Sequence, residues 1–288
     1  MKKITCLLSL GSLFLVGFYA NTAVAVPVDC INSNCMVSDG PASIAVEETT
    51  EKDLEDVFLN GREHLGEDEV HVCIGLSAAA DCELPSATTA TTDEDTNQIN
   101  ILFDDAQYSV RVIWTLSGSL NQAVVDKQIT VSNNTLNPLD FTLLDYTGWD
   151  LYADSSNDTA RFVSPNTLRQ TQLNVVADSI AIDAADFYAV HNCDGVTVCE
   201  DVFDDENNGG NLNNNPGPES DTPEYSWQNN LTVAGGGSVT LNRRLVVSEV
   251  PQVIQVVPTL SEWGLGLFAL LMLVVGGVFM QRRKQTVA

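Results

Sequence analysis

Tyr108, Val110, Val112, Trp114 and Leu116 occupy every second position of one stretch, opposite Ser109, Arg111, Thr115 and Ser117. A period of two places successive side chains on opposite faces of an extended chain, whereas a helix would scatter the same apolar set around its axis. This stretch therefore folds as a half-buried β-strand, and the chain around it must supply partners. Val125, Ile129 and Val131 continue the period beyond a Gly/Ser/Asn turn, and Asn133-Asn134-Thr135 makes the next turn. Leu139-Asp140-Phe141-Thr142-Leu143-Leu144 follows. Further strand material lies at Leu173, Val175, Val176, Ile180 and Ile182 and from Phe187 to Val190. Leu231 and Val233 are separated from Val239, Leu241 and Leu245 by Gly235-Gly236-Gly237, the composition of a hairpin turn. Many short strands with few helical stretches predict a mainly β chain, an antiparallel β-sandwich of the Ig-like kind, over residues 99–250.

Residues 26–98 are less regular and read as an N-terminal disulfide-containing segment with a linker. Glu47 to Leu65 carries Leu54, Val57, Phe58 and Leu65 at loosely helical spacing, interrupted by Gly61. His71 to Leu76 reads as a short strand. SATTATTDEDTNQ, Ser86 to Gln98, has the composition of a polar, Thr-rich linker.

The two ends define the compartment. MKK, an apolar stretch from Ile4 to Ala20 and the small-x-small site Ala23-Val24-Ala25 have the layout of a secretory signal peptide over residues 1–25. At the other end, Leu265 to Met280 is free of charge, and with Trp263 and Gly264 it would span ~27 Å as a helix, close to a bilayer core of ~30 Å. Arg282, Arg283 and Lys284 then hold the tail on the cytoplasmic side, with the body outside. Pro258-Thr259-Leu260-Ser261-Glu262-Trp263-Gly264, followed by this span and the basic cluster, closely resembles the IPTL-CTERM sorting signal, a relative of the PEP-CTERM signals of Gram-negative bacteria. The family's first position is usually isoleucine; here it is Val257. The resemblance, over residues 256–288, implies recognition by an exosortase-type enzyme that cuts near the motif, a transient inner-membrane anchor, and association with exopolysaccharide and biofilm. The body, from about 105 to 248, is more loosely similar to a β-sandwich region of such anchored surface proteins. Asn134, Pro138, Leu139, Tyr146, Asp150, Trp227, Leu231 and Gly235 to Ser238 stand near that pattern's turn and strand positions, and the pattern implies no catalytic residue.

Without both ends, the body keeps eight Lys and Arg against thirty-eight Asp and Glu, a net charge of −30. Nucleic-acid binders need basic surfaces, so that class is excluded, and docking onto anionic lipid is equally disfavoured. Six cysteines remain in three short-range couples: Cys30 and Cys35, Cys73 and Cys82, Cys193 and Cys199. An even number in an exported chain predicts disulfides, with nearest-neighbour pairing chosen among fifteen connectivities.

No residue pattern marks an active site. A Cys193/His191 nucleophile pair conflicts with a disulfide at Cys193. His64 and His71 lack ligand spacing such as HExxH and read as solvated surface histidines. Asp204, Glu206 and Asn208 before Gly209 imitate the first half of a calcium loop, but position twelve is Asn215 and Pro216 follows. Asp154, Ser156, Asn157 and Asp158 form a second oxygen-rich cluster, and Asp204 to Asp221 reads as a mobile loop. Of the tryptophans, Trp114 belongs to an apolar face, while Trp149 beside Gly148 is the candidate for an exposed sugar-stacking ring. The chain is expected to be a non-enzymatic surface or matrix protein that needs no cofactor. A carbohydrate-binding module, with or without calcium, is the alternative, and a secreted hydrolase the third reading.

Overall fold

The computed structural model describes residues 27–47, 53–75, 84–151, 158–192, 211–221 and 223–249. The expected signal peptide, Cys82, Cys193, Cys199, the Asp204/Glu206/Asn208 cluster and the whole sorting signal, Val257 to Gly264 with Arg282, Arg283 and Lys284, lie outside the described residues. Within them the chain is built of strands: β1 (Val28–Asp29), β2 (Cys35–Asp39), β3 (Ala42–Val46), β4 (Leu54–Leu59), β5 (Arg62–Glu63), β6 (Leu65–Ile74), β7 (Ala87–Asp93), β8 (Gln98–Asp104) and β9 (Tyr108–Ser119). The second half adds β10 (Gln122–Asn133), β11 (Leu139–Trp149), β12 (Asp158–Ser164), β13 (Thr167–Gln172), β14 (Val175–Ala181), β15 (Phe187–Asn192), β16 (Glu219–Asp221), β17 (Pro223–Val233) and β18 (Ser238–Glu249).

They form two antiparallel sheets. One has ten strands in the order β1-β7-β8-β9-β10-β18-β14-β13-β12-β16; the other runs β15-β17-β11-β6-β4-β3-β2, with β5 on β4. Side chains from both close a single main apolar core that includes Trp114, Phe141, Trp149, Tyr225 and Trp227. Phe162 and Tyr225 meet Trp227 edge-on, with ring centroids 5.8 and 5.3 Å from it. The fold is the expected antiparallel sandwich, larger than the seven to nine strands of an Ig-like domain.

Several local expectations are corrected. Leu54 and Val57 share a face without being helical, because the register of β4 against β3 shifts between Ala45 and Val46. The bulge adds one residue to β4, so a spacing of three brings both side chains inward. Asn60 and Gly61, at φ +55° and +74°, make the turn into β5 that no helix could contain. The stretch Ser86–Gln98 is no linker: β7 pairs with β1 and β8, threonine being a good β-former, and joins the segment before residue 98 to the sheet after it.

The Gly235-Gly236-Gly237 turn does not close a hairpin. β17 lies in the smaller sheet between β15 and β11, and β18 in the larger between β10 and β14, so the glycines carry the chain across the sandwich. The step from β10 to β11 makes the same crossing alongside. Asn133 ties the two together: its backbone exchanges hydrogen bonds with Gly236 and Gly237, and its Nδ2 donates to the carbonyls of Asn137 (2.7 Å) and Val233 (3.0 Å).

At the far end of β9, Gly118 lies against β2. Its N–H donates to Asp39 Oδ2 (2.8 Å), and a Cβ there would collide with the Asp39 carbonyl oxygen. Gly118→Ala is expected to cost about 1–3 kcal/mol by overpacking, read as a melting temperature lower by several degrees.

Between the sheets lies a buried charged quartet. Lys127 on β10 and Arg243 on β18 face Asp68 on β6 and Asp145 on β11, and none is more than 1% exposed. Lys127 Nζ stands 2.6 Å from Asp145 Oδ1 and 2.7 Å from Asp68 Oδ2, while Arg243 Nε donates to Asp145 Oδ2 at 2.9 Å. Thr147 Oγ1 (2.7 Å) and Trp114 Nε1 (3.4 Å) donate to Asp68, and Arg243 also reaches Asn229 Oδ1 and the Asp183 carbonyl.

Candidate functional site

Alternation along β6 turns Asp68, Val70 and Val72 into the core and leaves Glu67, Glu69 and His71 on the outer face of the smaller sheet. In register beside them, Tyr146 of β11 lies opposite Glu69, and Gly148 sits between Glu67 and Glu224 of β17. With no side chain at Gly148, the carboxylate stems close over it. A Cβ placed there would lie 3.4 Å from Glu224 Cγ, 3.8 Å from Glu67 Cγ and 3.8 Å from the Tyr146 hydroxyl. Three glutamates and a histidine thus gather, partly exposed, on the outer face of the smaller sheet around the buried Tyr146, which is 2% exposed.

Their protons are shared. Burial raises the Glu67 carboxyl to about 7, helped by the charges of Glu69 and Glu224 and opposed by the Tyr146 hydroxyl bonded to it. Burial acts on Glu69 in the same sense, but His71, 2.7 Å from Glu69 Oε2, and the hydrogen bond from Glu67 outweigh it and hold Glu69 below the usual carboxylate range. Near neutrality, Glu67 is the proton donor of the group and Glu69 the ionised acceptor. Such a group can donate to and accept from the vicinal hydroxyls of a polyol. Because Glu67 binds its proton more tightly folded than unfolded, its contribution to stability is present at low pH and lost as pH rises from about 4.5 through about 7. Glu67→Gln, a neutral isostere, is expected to flatten this part of the melting-temperature profile and to make the protein more stable at pH 8, by no more than about 3 kcal/mol.

Beside the cluster, the outer face of β15, β17 and β11 is covered. Leu212 packs on Leu144, Ala189 and Phe187, its N–H bonded to Gln228 Oε1 (2.9 Å), and Asn215 Nδ2 donates to the Val190 carbonyl (2.7 Å). The later part of the predicted mobile loop Asp204–Asp221 is therefore a seated cover over residues 211–218, followed by β16. The opposite face of the sandwich carries a shallow depression of about 290 Å³, lined by Gln98, Ile113, Thr115, Gln128, Ile182 and Asn242.

The other predicted residues distribute as follows. Cys30–Cys35 is a disulfide, and Cys73 is disulfide-bonded with its partner outside the described residues. Trp149 is not an exposed platform: it is 2% exposed and its Nε1 donates to Ser179 Oγ at 2.8 Å. Its strand is central in the sheet, so even the residue beside Gly148 points inward. His64 is not solvated either, being fully buried near Glu249, and burial holds its imidazole below the usual value against the pull of that carboxylate. Asp158 is buried with Oδ2 accepting from Gln170 Nε2 (2.7 Å), and Asp154, Ser156 and Asn157 lie outside the described residues. Among the described residues, no group of three or more His, Cys, Asp or Glu is arranged to hold a metal ion.

The sequence pairs His71 with His64, with Glu63, Glu67 or Asp68 beside them, and does not display its grouping with Glu69, Tyr146 and Glu224. The signal lay in the alternation of β6, where a charged row, Glu67-x-Glu69-x-His71, marks one face; its neighbours depend on a register that one sequence does not display.

Residues 255–283 match the IPTL-CTERM motif, about a tenth of the chain. The motif marks an exported protein processed at the membrane and displayed on the cell surface, and implies recognition by an exosortase-type enzyme. No curated protein matches in sequence. Among solved structures, the chain is similar to a putative aldose 1-epimerase from Escherichia coli K12, at 10% identity and a TM-score of 0.52, over 76% of this chain and 99% of that one. It is also similar to a bacterial glucoamylase complexed with acarbose, at 6% identity and a TM-score of 0.54, over 79% of this chain and 34% of that one. The chain thus spans about a third of the glucoamylase, and at these identities the likeness shows the fold alone.

Proposed function

We propose that this is a non-enzymatic surface or extracellular-matrix protein whose sandwich is delivered outward and cut at its C-terminal signal by an exosortase-type enzyme. The observation that carries this reading is the IPTL-CTERM motif at residues 255–283. Pro258, Thr259, Leu260, Ser261, Glu262, Trp263 and Gly264 are the residues the enzyme reads, the span to Met280 holds the chain in the inner membrane while it is cut, and Arg282, Arg283 and Lys284 fix its orientation. The acidic body then contacts matrix polysaccharide. Intact-mass measurement of protein from cells and medium tests this: the mature chain is expected to end near the motif, and a variant lacking Pro258 to Gly264 is expected to keep its C-terminal span. Persistence of the span in every wild-type fraction would make the tail a permanent anchor.

A second reading, carbohydrate binding by the sandwich itself, is favoured by the partly exposed Glu67, Glu69, His71 and Glu224, with the Tyr146 hydroxyl bonded to Glu67 beneath them. Titration against neutral oligosaccharides is expected to show binding that Tyr146→Phe and Glu69→Gln each weaken about tenfold. Binding that survives EDTA assigns it to this face, whereas loss with EDTA assigns the contact to calcium at Asp204, Glu206 and Asn208.

A further inference from the structure

The interior holds a nucleophile that neither reading uses. Lys127 ends in the core between two carboxylates contributed by the opposite sheet, at 2.6 Å from Asp145 Oδ1 and 2.7 Å from Asp68 Oδ2. Contact at that distance places the Asp145 carboxyl carbon about 3–3.5 Å from Nζ, the separation of a near-attack arrangement, with no bulk water to compete. We propose that Lys127 and Asp145 condense into an intramolecular amide that joins the two sheets covalently, with Asp68 relaying the protons.

Each member of the group has a part. Lys127 starts as an ammonium, since the charges of Asp145 and Asp68 outweigh the burial that opposes it. It must lose a proton before its nitrogen can attack. Asp68 is the acceptor in place, because burial raises its carboxyl pKa by more than the adjacent lysine and the Thr147 hydrogen bond lower it. The nitrogen lone pair then forms a bond to Cγ of Asp145, and the carbonyl electrons move onto Oδ2, where Arg243 Nε stands 2.9 Å away as a fixed cation. Asp68 returns its proton to Oδ1 and relays a second from nitrogen. The Cγ–Oδ1 bond breaks and that oxygen leaves as water.

The balance closes without oxidant or cofactor. An ammonium and a carboxylate become a secondary amide and one water, two of the three ammonium protons departing on that oxygen. Asp68 ends as it began, and its negative charge offsets the positive charge of Arg243, so the net charge of the group stays zero. The driving force is physical: two charges whose burial is costly are replaced by one neutral, hydrogen-bonded amide.

The test is mass spectrometry of the exported protein after reduction of its disulfides. The wild-type chain is expected to weigh about 18 Da less than its sequence. Trypsin cannot cut after an acylated lysine, so residues 112–161, with Lys127 and Asp145 between Arg111 and Arg161, are expected as one uncut peptide carrying the whole deficit. A full-mass wild-type chain overturns the proposal. So does a deficit mapping to a branched peptide joining 63–111, which contains Asp68, to Lys127. Asp68→Asn keeps the shape of the relay without its basicity and is expected to restore full mass and cleavage at Lys127. Because the wild-type measurement decides alone, failure of that variant to fold leaves the test intact.

Discussion

Asp145→Ala is expected to cost about 3–5 kcal/mol and to lower the melting temperature by about 10 °C or more. Before any condensation, Asp145 is the one acid that both buried cations share, Lys127 through Oδ1 and Arg243 through Oδ2. Its removal leaves two positive charges, each no more than 1% exposed, with Asp68 as the only acid of the quartet. Thermal unfolding followed by circular dichroism checks this. Adding Lys127→Met to Asp145→Ala removes the stranded lysine and is expected to recover part of the loss. A double variant as unstable as the sum of its singles would mean that the pair is not coupled.

Gly235→Ala is expected to be nearly as damaging, and for a different reason. A Cβ at Gly235 would run into the carbonyl carbon and oxygen of Leu136 and stand 2.9 Å from the amide of Asn137. These are backbone atoms of the neighbouring crossing, so no side chain can swing aside. The two corners would have to separate, breaking the hydrogen bonds of Asn133 to Gly236, Gly237 and Val233. A loss of about 2–4 kcal/mol is expected, whereas Gly236→Ala, in open space but at φ +68°, should cost only about 1 kcal/mol. Equal losses at the two glycines would contradict the crossed-corner account.

The strands were legible wherever one face is apolar and the other wet, as in β9 and β10. They were obscured where a bulge changed the spacing, as at Leu54 and Val57, and where threonines stood in for larger β-formers, as in β7. Sheet membership was hidden altogether: Gly235-Gly236-Gly237 has the same composition whether it turns a chain back on its neighbour or carries it to the other sheet. The charged quartet did leave a trace. In the inward rows Val125-x-Lys127-x-Ile129, Leu143-x-Asp145-x-Thr147 and Leu241-x-Arg243-x-Leu245, a charge interrupts the alternation. Each interruption alone looks like a weak strand; only their convergence in space shows that the four charges answer one another.

The placing of β18 governs how this protein can be made. It is the last strand among the described residues, yet it stands between β10 and β14, hydrogen-bonded to both across most of its length. Among the described residues, no other strand joins the two half-sheets that precede it. A chain threaded outward from its N-terminus must therefore wait, incompletely zipped, with β10 and β14 as open edges, until residue 249 has emerged.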